Sequence, residues 1–171
     1  MGNVKPILDT ISSRESPKFG YTSYYGRGRE GVGPAAPPKE LTEMTVDEVL
    51  QWQKTNNPPG PGTAAAGRYQ IVEETLGELK TKLKLDGSEL FDEEMQDKMA
   101  MALLKKRGYD KWVKGDLSDE EFANNLAKEW AGLPVVSGAK KGQGYLRATL
   151  TVTCKVLYDI VTFALRRSND S

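Results

Sequence analysis

A glutamate at the end of a short amphipathic segment is the first residue whose position suggests chemistry. Glu15 follows three apolar residues at helical spacing, Ile7, Leu8 and Ile11, and precedes a stretch rich in tyrosine and glycine. A carboxylic acid in such a position can be partly desolvated, which raises its pKa and lets it donate a proton to a leaving oxygen. A solvated glutamate at a helix end is the structural alternative.

A second group of residues combines the functional groups that recognise sugars. Gly67-Arg68-Tyr69-Gln70 offers a tight turn, a cation, a ring for stacking, and an amide that both donates and accepts hydrogen bonds. The alternative is a helix start that carries an ordinary surface arginine and tyrosine.

A third motif, at residues 26–31, has the glycine spacing of a dinucleotide-binding loop. Such a loop needs a hydrophobic strand before it and a helix after it. No such strand precedes it, and Pro34, Pro37 and Pro38 occupy the place of the helix. The segment is therefore interpreted as a loop, either flexible or lining a cleft.

The composition excludes several kinds of chemistry. The chain has 171 residues, 24 basic and 24 acidic side chains, no histidine and one cysteine. Chemistry that relies on imidazole or on paired thiols is therefore unavailable, and we expect a carboxylate to act with no metal or organic cofactor. Because the net charge is zero, the protein has no overall field that would attract nucleic acid, and we expect no nucleic-acid partner. Residues 1–13 lack the apolar core of a signal peptide.

Periodicity and capping signals predict the helices that would position these residues. The first predicted helix ends near Glu15, and the next four span about 46–54, 71–83, 92–106 and 119–131. Two of them begin with capping boxes, Thr45-x-x-Glu48 and Ser118-x-x-Glu121. A mainly α or α+β domain with one dominant helical lobe results.

The last segment, 146–165, is long and apolar but contains Arg147, Lys155 and Asp159. These charges argue against a membrane span. A packed terminal helix is favoured over a strand. The alternative is that the net basic charge of 146–171 favours contact with an anionic wall or membrane surface.

Five blocks of the sequence follow one another in the order and spacing of one known family. They are 7–15, which ends in Glu15; 66–70; Gln96-Asp97 with Lys106-Arg107-Gly108; 130–134; and 142–145. Together they resemble the lysozyme-like endolysins of the bacteriophage lambda type, which cleave peptidoglycan glycan strands. The resemblance covers residues 7 to 145 of what we expect to be a single domain, 1–171.

The resemblance implies a lysozyme-like fold, in which a cleft separates a helical main lobe from a smaller irregular or β-containing lobe. It implies that Glu15 protonates the glycosidic oxygen between N-acetylmuramic acid and N-acetylglucosamine, then acts as a base. Tyr69 and Gln70 would line the cleft, and Tyr145 would close one side of it. Composition alone adds Tyr21, Tyr24 and Tyr25 as candidates for sugar contact.

One departure from the family pattern bears on the reaction. Thr22 stands where the lambda-type pattern has an aspartate, so the second carboxylate of a two-acid glycosidase is not evident, although Glu30 could substitute. A single acid suits a lytic transglycosylase, whose product is an anhydro sugar, and the resemblance implies that chemistry. Hydrolysis by a bound water is the close alternative, and a non-catalytic wall-binding or structural module is the competing class.

The resemblance also implies where the protein acts and with what. Peptidoglycan strands are the expected partner, at the cell wall or in the periplasm, with lysis or secretion machinery as a further partner. We expect a monomer.

Overall fold

The computed structural model describes residues 4–28, 35–56 and 64–136. Their α-helices are α1 Lys5–Glu15, α2 Val46–Asn56, α3 Glu73–Lys82, α4 Glu93–Lys106, α5 Tyr109–Val113 and α6 Asp119–Glu129. Within these ranges β-pairing is confined to isolated bridges, such as that between Tyr24 and Ala66. The predicted mainly helical character is confirmed, and a two-lobed arrangement with a cleft stays a prediction.

The five helices predicted before residue 132 are all present, and α1 ends at Glu15 as expected. The sequence patterns do not predict α5, because five residues are too few to display an amphipathic period. Gly108, with φ +101°, separates α4 from α5. None of the helices described is both long and apolar enough to cross a membrane. The predicted helix within 146–165 lies outside the described residues.

Both predicted capping boxes form. Before α2, the Thr45 backbone N–H donates to Glu48 Oε2 at 2.7 Å, and the Glu48 N–H donates to Thr45 Oγ1 at 3.2 Å. Before α6, the Glu121 N–H donates to Ser118 Oγ at 3.3 Å, and the Ser118 N–H donates to Glu121 Oε2 at 3.1 Å. Donors that the first turn of each helix would otherwise leave unpaired are thus satisfied by nearby side chains.

A first compact unit comprises 15–100, of which 15–28, 35–56 and 64–100 are described. Within it α2 and α3 pack together, and the chain before α2 pairs with the chain before α4. The Phe91 N–H donates to Met44 O at 2.8 Å, and the Val46 N–H donates to Glu89 O at 2.9 Å. Fully buried apolar side chains of this unit include Leu41, Met44, Val46, Val49, Leu76 and Phe91.

The second compact unit comprises 1–14 and 101–171, of which 4–14 and 101–136 are described. Its aromatic centre joins α5 to α6, because the Trp112 and Phe122 rings stack with centroids 4.7 Å apart. Trp112 Nε1 also donates to Asp119 Oδ1 at 2.8 Å, and Arg107 Nε donates to Glu129 Oε2 at 2.6 Å. Ring stacking and the Trp112 hydrogen bond therefore hold α5 against α6, and the Arg107 contact links the end of α4 to α6.

We expect Ser118→Ala to lower the free energy of unfolding by about 1 kcal/mol, because the α6 N-terminus loses its capping hydroxyl. Ser118→Thr, which keeps a hydroxyl, is the matched control and should stay near the unsubstituted protein. Urea unfolding followed by circular dichroism measures both. Equal stability of the alanine and threonine variants would show that the cap contributes nothing.

Candidate functional site

The Gly67-Arg68-Tyr69-Gln70 segment forms a tight turn, here called the 67–70 turn. It is closed by two backbone bonds between Ala66 and Ile71, with N···O distances of 2.9 and 2.8 Å. Gly67 has φ +79° and Gln70 has φ +48°. The Gln70 side-chain amide donates back to Gly67 O at 2.9 Å, which helps to hold a conformation that residues other than glycine rarely adopt.

A buried amide on α4, that of Gln96, hydrogen-bonds to the backbone of this turn. The Gln96 side chain is 0% exposed, and its Oε1 accepts the Arg68 backbone N–H at 2.9 Å. Its Nε2 donates to Phe91 O at 2.9 Å and to Tyr21 O at 3.1 Å. A Cβ added at Gly67 would overlap this amide, so the turn needs glycine for space as well as for its positive φ.

The next residue on α4, Asp97, gathers two tyrosine hydroxyls. Tyr69 Oη donates to Asp97 Oδ1 at 2.5 Å, and Tyr21 Oη donates to the same oxygen at 3.0 Å. Arg68 Nη1 in turn donates to Tyr21 Oη at 2.6 Å. We call Tyr21, Arg68, Tyr69 and Asp97 the Asp97 cluster.

Burial and the Asp97 contact control the protonation of both phenols. Burial is the main cause that raises the pKa of Tyr69, and the hydrogen bond to Asp97 adds to it. Burial also raises the pKa of Tyr21, although the bond from Arg68 opposes the shift. Both hydroxyls therefore keep their protons and act as donors to Asp97 across the ordinary pH range.

The Arg68 guanidinium lies close to both rings of the cluster. Its central carbon is 4.8 Å from the Tyr21 ring centroid and 5.6 Å from that of Tyr69. Cation–π attraction thus reinforces the hydrogen bond to Tyr21. Tyr69 is 1% exposed, whereas Tyr21 and Arg68 are partly exposed. Tyr69 therefore supports the turn from inside, and the accessible groups are those of Tyr21 and Arg68.

Glu15 is the last residue of α1 and is half-buried. The residue after it, Ser16, is 4% exposed and donates from Oγ to Arg68 O at 2.7 Å. This bond connects the chain immediately after the candidate acid to the 67–70 turn, across 52 residues of sequence. Both features belong to the 15–100 unit.

The segment after Glu15 runs beside the strand-like residues that lead into the turn. Tyr24 forms an isolated antiparallel bridge with Ala66, and the Gly67 N–H donates to Ser23 O at 2.7 Å. The Tyr24 ring meets the Trp52 ring edge-on, with centroids 5.8 Å apart. Residues 23–28 contain turns and this isolated bridge, with no helix.

Several predicted site residues therefore converge. Tyr69 and Gln70 belong to the 67–70 turn, and Tyr21 joins Tyr69 in the Asp97 cluster. Tyr24 pairs with Ala66, the residue before the turn. Their contacts with sugar stay predictions, and Tyr145 and Glu30 lie outside the described residues. In the part of the chain that the structure describes, no three acidic or cysteine side chains gather as a metal site would require.

Sequence reasoning did not identify the supporting residues Ser16, Gln96 and Asp97 as functional. Gln96-Asp97 contributed only to the resemblance, and nothing local predicts that their side chains reach the 67–70 turn.

Comparison with known protein families gives a match over much of the chain. The family model described as Endolysin matches residues 49–154. That range includes the 67–70 turn and both supporting residues on α4, and it begins after Glu15. Neither a curated protein nor a solved structure matches the chain significantly.

We expect Gly67→Ala to lower the free energy of unfolding by about 2 kcal/mol or more, because the new Cβ meets the Gln96 amide at a strained φ. Gly77→Ala is the matched control. Gly77 lies inside α3, where an added Cβ would meet open space, so alanine there should stabilise the protein by about 0.5 kcal/mol. Thermal unfolding compares them, and equal effects would contradict the close packing at Gly67.

Alkaline unfolding tests the cluster. Because the pKa of Tyr69 is raised in the folded state, its stabilisation is complete below the ordinary tyrosine pKa of about 10 and is lost as pH rises above it. Tyr69→Phe should be less stable at pH 7 and should lose less further stability above pH ~10. Tyr24→Phe is the control, and urea midpoints across pH measure the difference. Parallel pH profiles for all three proteins would contradict the assignment.

Proposed function

The chain belongs to the endolysin family, and from that membership we propose that it cleaves the β-1,4 bond between N-acetylmuramic acid and N-acetylglucosamine with Glu15 as its acid and base. Endolysins are enzymes that act on the bacterial cell wall, so peptidoglycan is the substrate. The proposal concerns which bond is cut and which residue cuts it.

Support for Glu15 comes chiefly from the bond between Ser16 Oγ and Arg68 O, at 2.7 Å. An acid catalyst must be held in a fixed position relative to the groups that bind its substrate. The Ser16 bond provides such a link, because it fastens the end of α1 to the turn that carries the expected sugar-binding groups. Partial burial of Glu15 is consistent with a group that works beside a bound sugar.

In the proposed first step, the Glu15 carboxylic acid protonates the glycosidic oxygen. The bond from this oxygen to C1 of the muramic residue then breaks, the N-acetylglucosamine unit leaves with its new hydroxyl, and positive charge develops at C1. Glu15 is left as a carboxylate.

In the second step, the Glu15 carboxylate removes a proton from the 6-hydroxyl of the same muramic residue, and that oxygen bonds to C1. The product is a 1,6-anhydro end, and Glu15 regains its proton. This route needs one carboxyl group. It is favoured because neither Thr22 nor Asp97 offers a second catalytic carboxylate. Thr22 has a hydroxyl, which donates to Phe19 O at 3.1 Å, and Asp97 Oδ1 already accepts two tyrosine hydroxyls. Water in place of the 6-hydroxyl would give a reducing end.

The sugar-binding groups are proposed from their exposure and from the turn. Tyr21 presents a partly exposed ring that Arg68 and Asp97 hold in place, which suits stacking on a sugar face. The side-chain NH2 group of Gln70 donates a hydrogen bond to Gly67 O. Its side-chain oxygen can accept a hydrogen bond from a sugar hydroxyl or an N-acetyl N–H. Tyr24 and Tyr145 complete the proposed contacts, and Tyr69 acts through Asp97.

We expect Glu15→Gln to reduce release of soluble muropeptides from purified peptidoglycan by about a hundredfold or more, because the amide cannot donate a proton as an acid does. Glu74→Gln is the matched control, since Glu74 is an exposed glutamate in the first turn of α3. Its activity should equal that of the unsubstituted protein, and circular dichroism should show all three folded.

Mass spectrometry of the products distinguishes the chemistry. Anhydro ends, lighter than reducing ends by one water, establish the transglycosylase, and reducing ends establish the hydrolase. If the unsubstituted protein and Glu15→Gln release the same products, Glu15 is not the acid. If neither releases any and both bind peptidoglycan, the chain is a wall-binding module.

A further inference from the structure

A cavity of about 420 Å³ lies in the second compact unit, where α4, α5 and α6 meet. Four cationic side chains line it, Lys105, Lys106, Arg107 and Lys111, together with one acidic residue, Asp110. We call it the basic cavity. In a chain with zero net charge, it concentrates positive charge in one concave place.

Helix electrostatics explains only part of this arrangement. Basic residues in the last turn of α4 are stabilised by the negative end of its dipole, which accounts for Lys105 and Lys106. Lys111 stands in the last turn of α5, where the same effect acts, but neither dipole requires the cations of two helices to line one concavity. Repulsion among the clustered cations is therefore tolerated without a compensating acid for each.

The hydrogen-bonding groups in the basic cavity are mostly donors. Among the described residues, Lys105 and Lys111 have no ion-pair or hydrogen-bond partner for their ammonium groups. Arg107 uses Nε toward Glu129, at 2.6 Å, which leaves both Nη groups as donors. Asn125 accepts from Lys128 through Oδ1, at 2.9 Å, so its NH2 group is also left to donate.

Such a donor-rich lining matches an anion with several oxygens and more than one charge. One carboxylate offers two oxygens and one charge, which a single arginine can satisfy. Separate lysine ammonium groups act as point charges and suit phosphate oxygens. The cavity volume is within the range of sites for small organic ligands and exceeds the needs of a single small ion.

We propose that the basic cavity binds a ligand with two or more phosphate groups, such as a segment of a phosphodiester polymer or clustered phospholipid headgroups. The site is independent of the chemistry proposed at Glu15, because none of its lining residues belongs to the 67–70 turn or the Asp97 cluster. It would hold the enzyme on an anionic surface.

The test uses the full chain and inorganic tripolyphosphate as the probe, with calorimetry and amide NMR. Binding should be saturable, should weaken as salt is added, and should shift the amide signals of residues 105–111. Lys105→Gln/Lys111→Gln should weaken it by about tenfold or more. The control Lys54→Gln/Lys98→Gln removes the same charge from positions elsewhere and should change the affinity by less than about twofold.

Equal weakening by the two double variants would overturn the proposal, because it would reduce the effect to net charge. Absence of saturable binding, or binding of the tricarboxylate tricarballylate as tightly as tripolyphosphate, would overturn it as well. Poly(glycerol phosphate) and phosphatidylglycerol vesicles then distinguish the two sources of phosphate. Glu15→Gln should bind tripolyphosphate normally, so loss of lysis and loss of binding are separate results.

Discussion

The buried amide of Gln96 is the contact on which the candidate site depends. Its oxygen and both of its N–H groups are used, toward Arg68 N, Phe91 O and Tyr21 O. A buried amide whose groups are all bonded stabilises one arrangement of its neighbours, because any alternative leaves a polar group without a partner. Three chain segments far apart in sequence are thereby set at fixed positions, and the 67–70 turn is one of them.

Asp97 extends this arrangement outward. Gln96 fixes the backbone of the turn, whereas Asp97 fixes two rings and, through Tyr21, the Arg68 guanidinium. The partly exposed Tyr21 side chain is therefore held by its hydrogen bond to this carboxylate. This division explains how one helix provides both the shape of the site and the orientation of its polar groups without contributing the proposed acid.

Local signals in the sequence predicted the helices well. Capping at Thr45 and Ser118 depends on residues three positions apart, and apolar periodicity depends on neighbours within a few turns. The site residues are a different matter. That Glu15 ends α1 follows from local sequence, but the burial of Tyr69 and the support from Gln96 depend on contacts across 28 residues or more. No local pattern contains that information, and the resemblance identified the turn without revealing what holds it.

The bonds around the 67–70 turn also determine when the site can exist during synthesis. Ser16 and Arg68 are 52 positions apart, and Tyr21 and Asp97 are 76 apart. Contacts between such distant positions close large loops, and closing them costs chain entropy before the contacts stabilise the fold. A chain that is still emerging from the ribosome cannot assemble the turn until α4 has been made. The proposed site is thus a property of the finished fold, and shortened translation products that end before α4 would lack Gln96 and Asp97, which hold the turn.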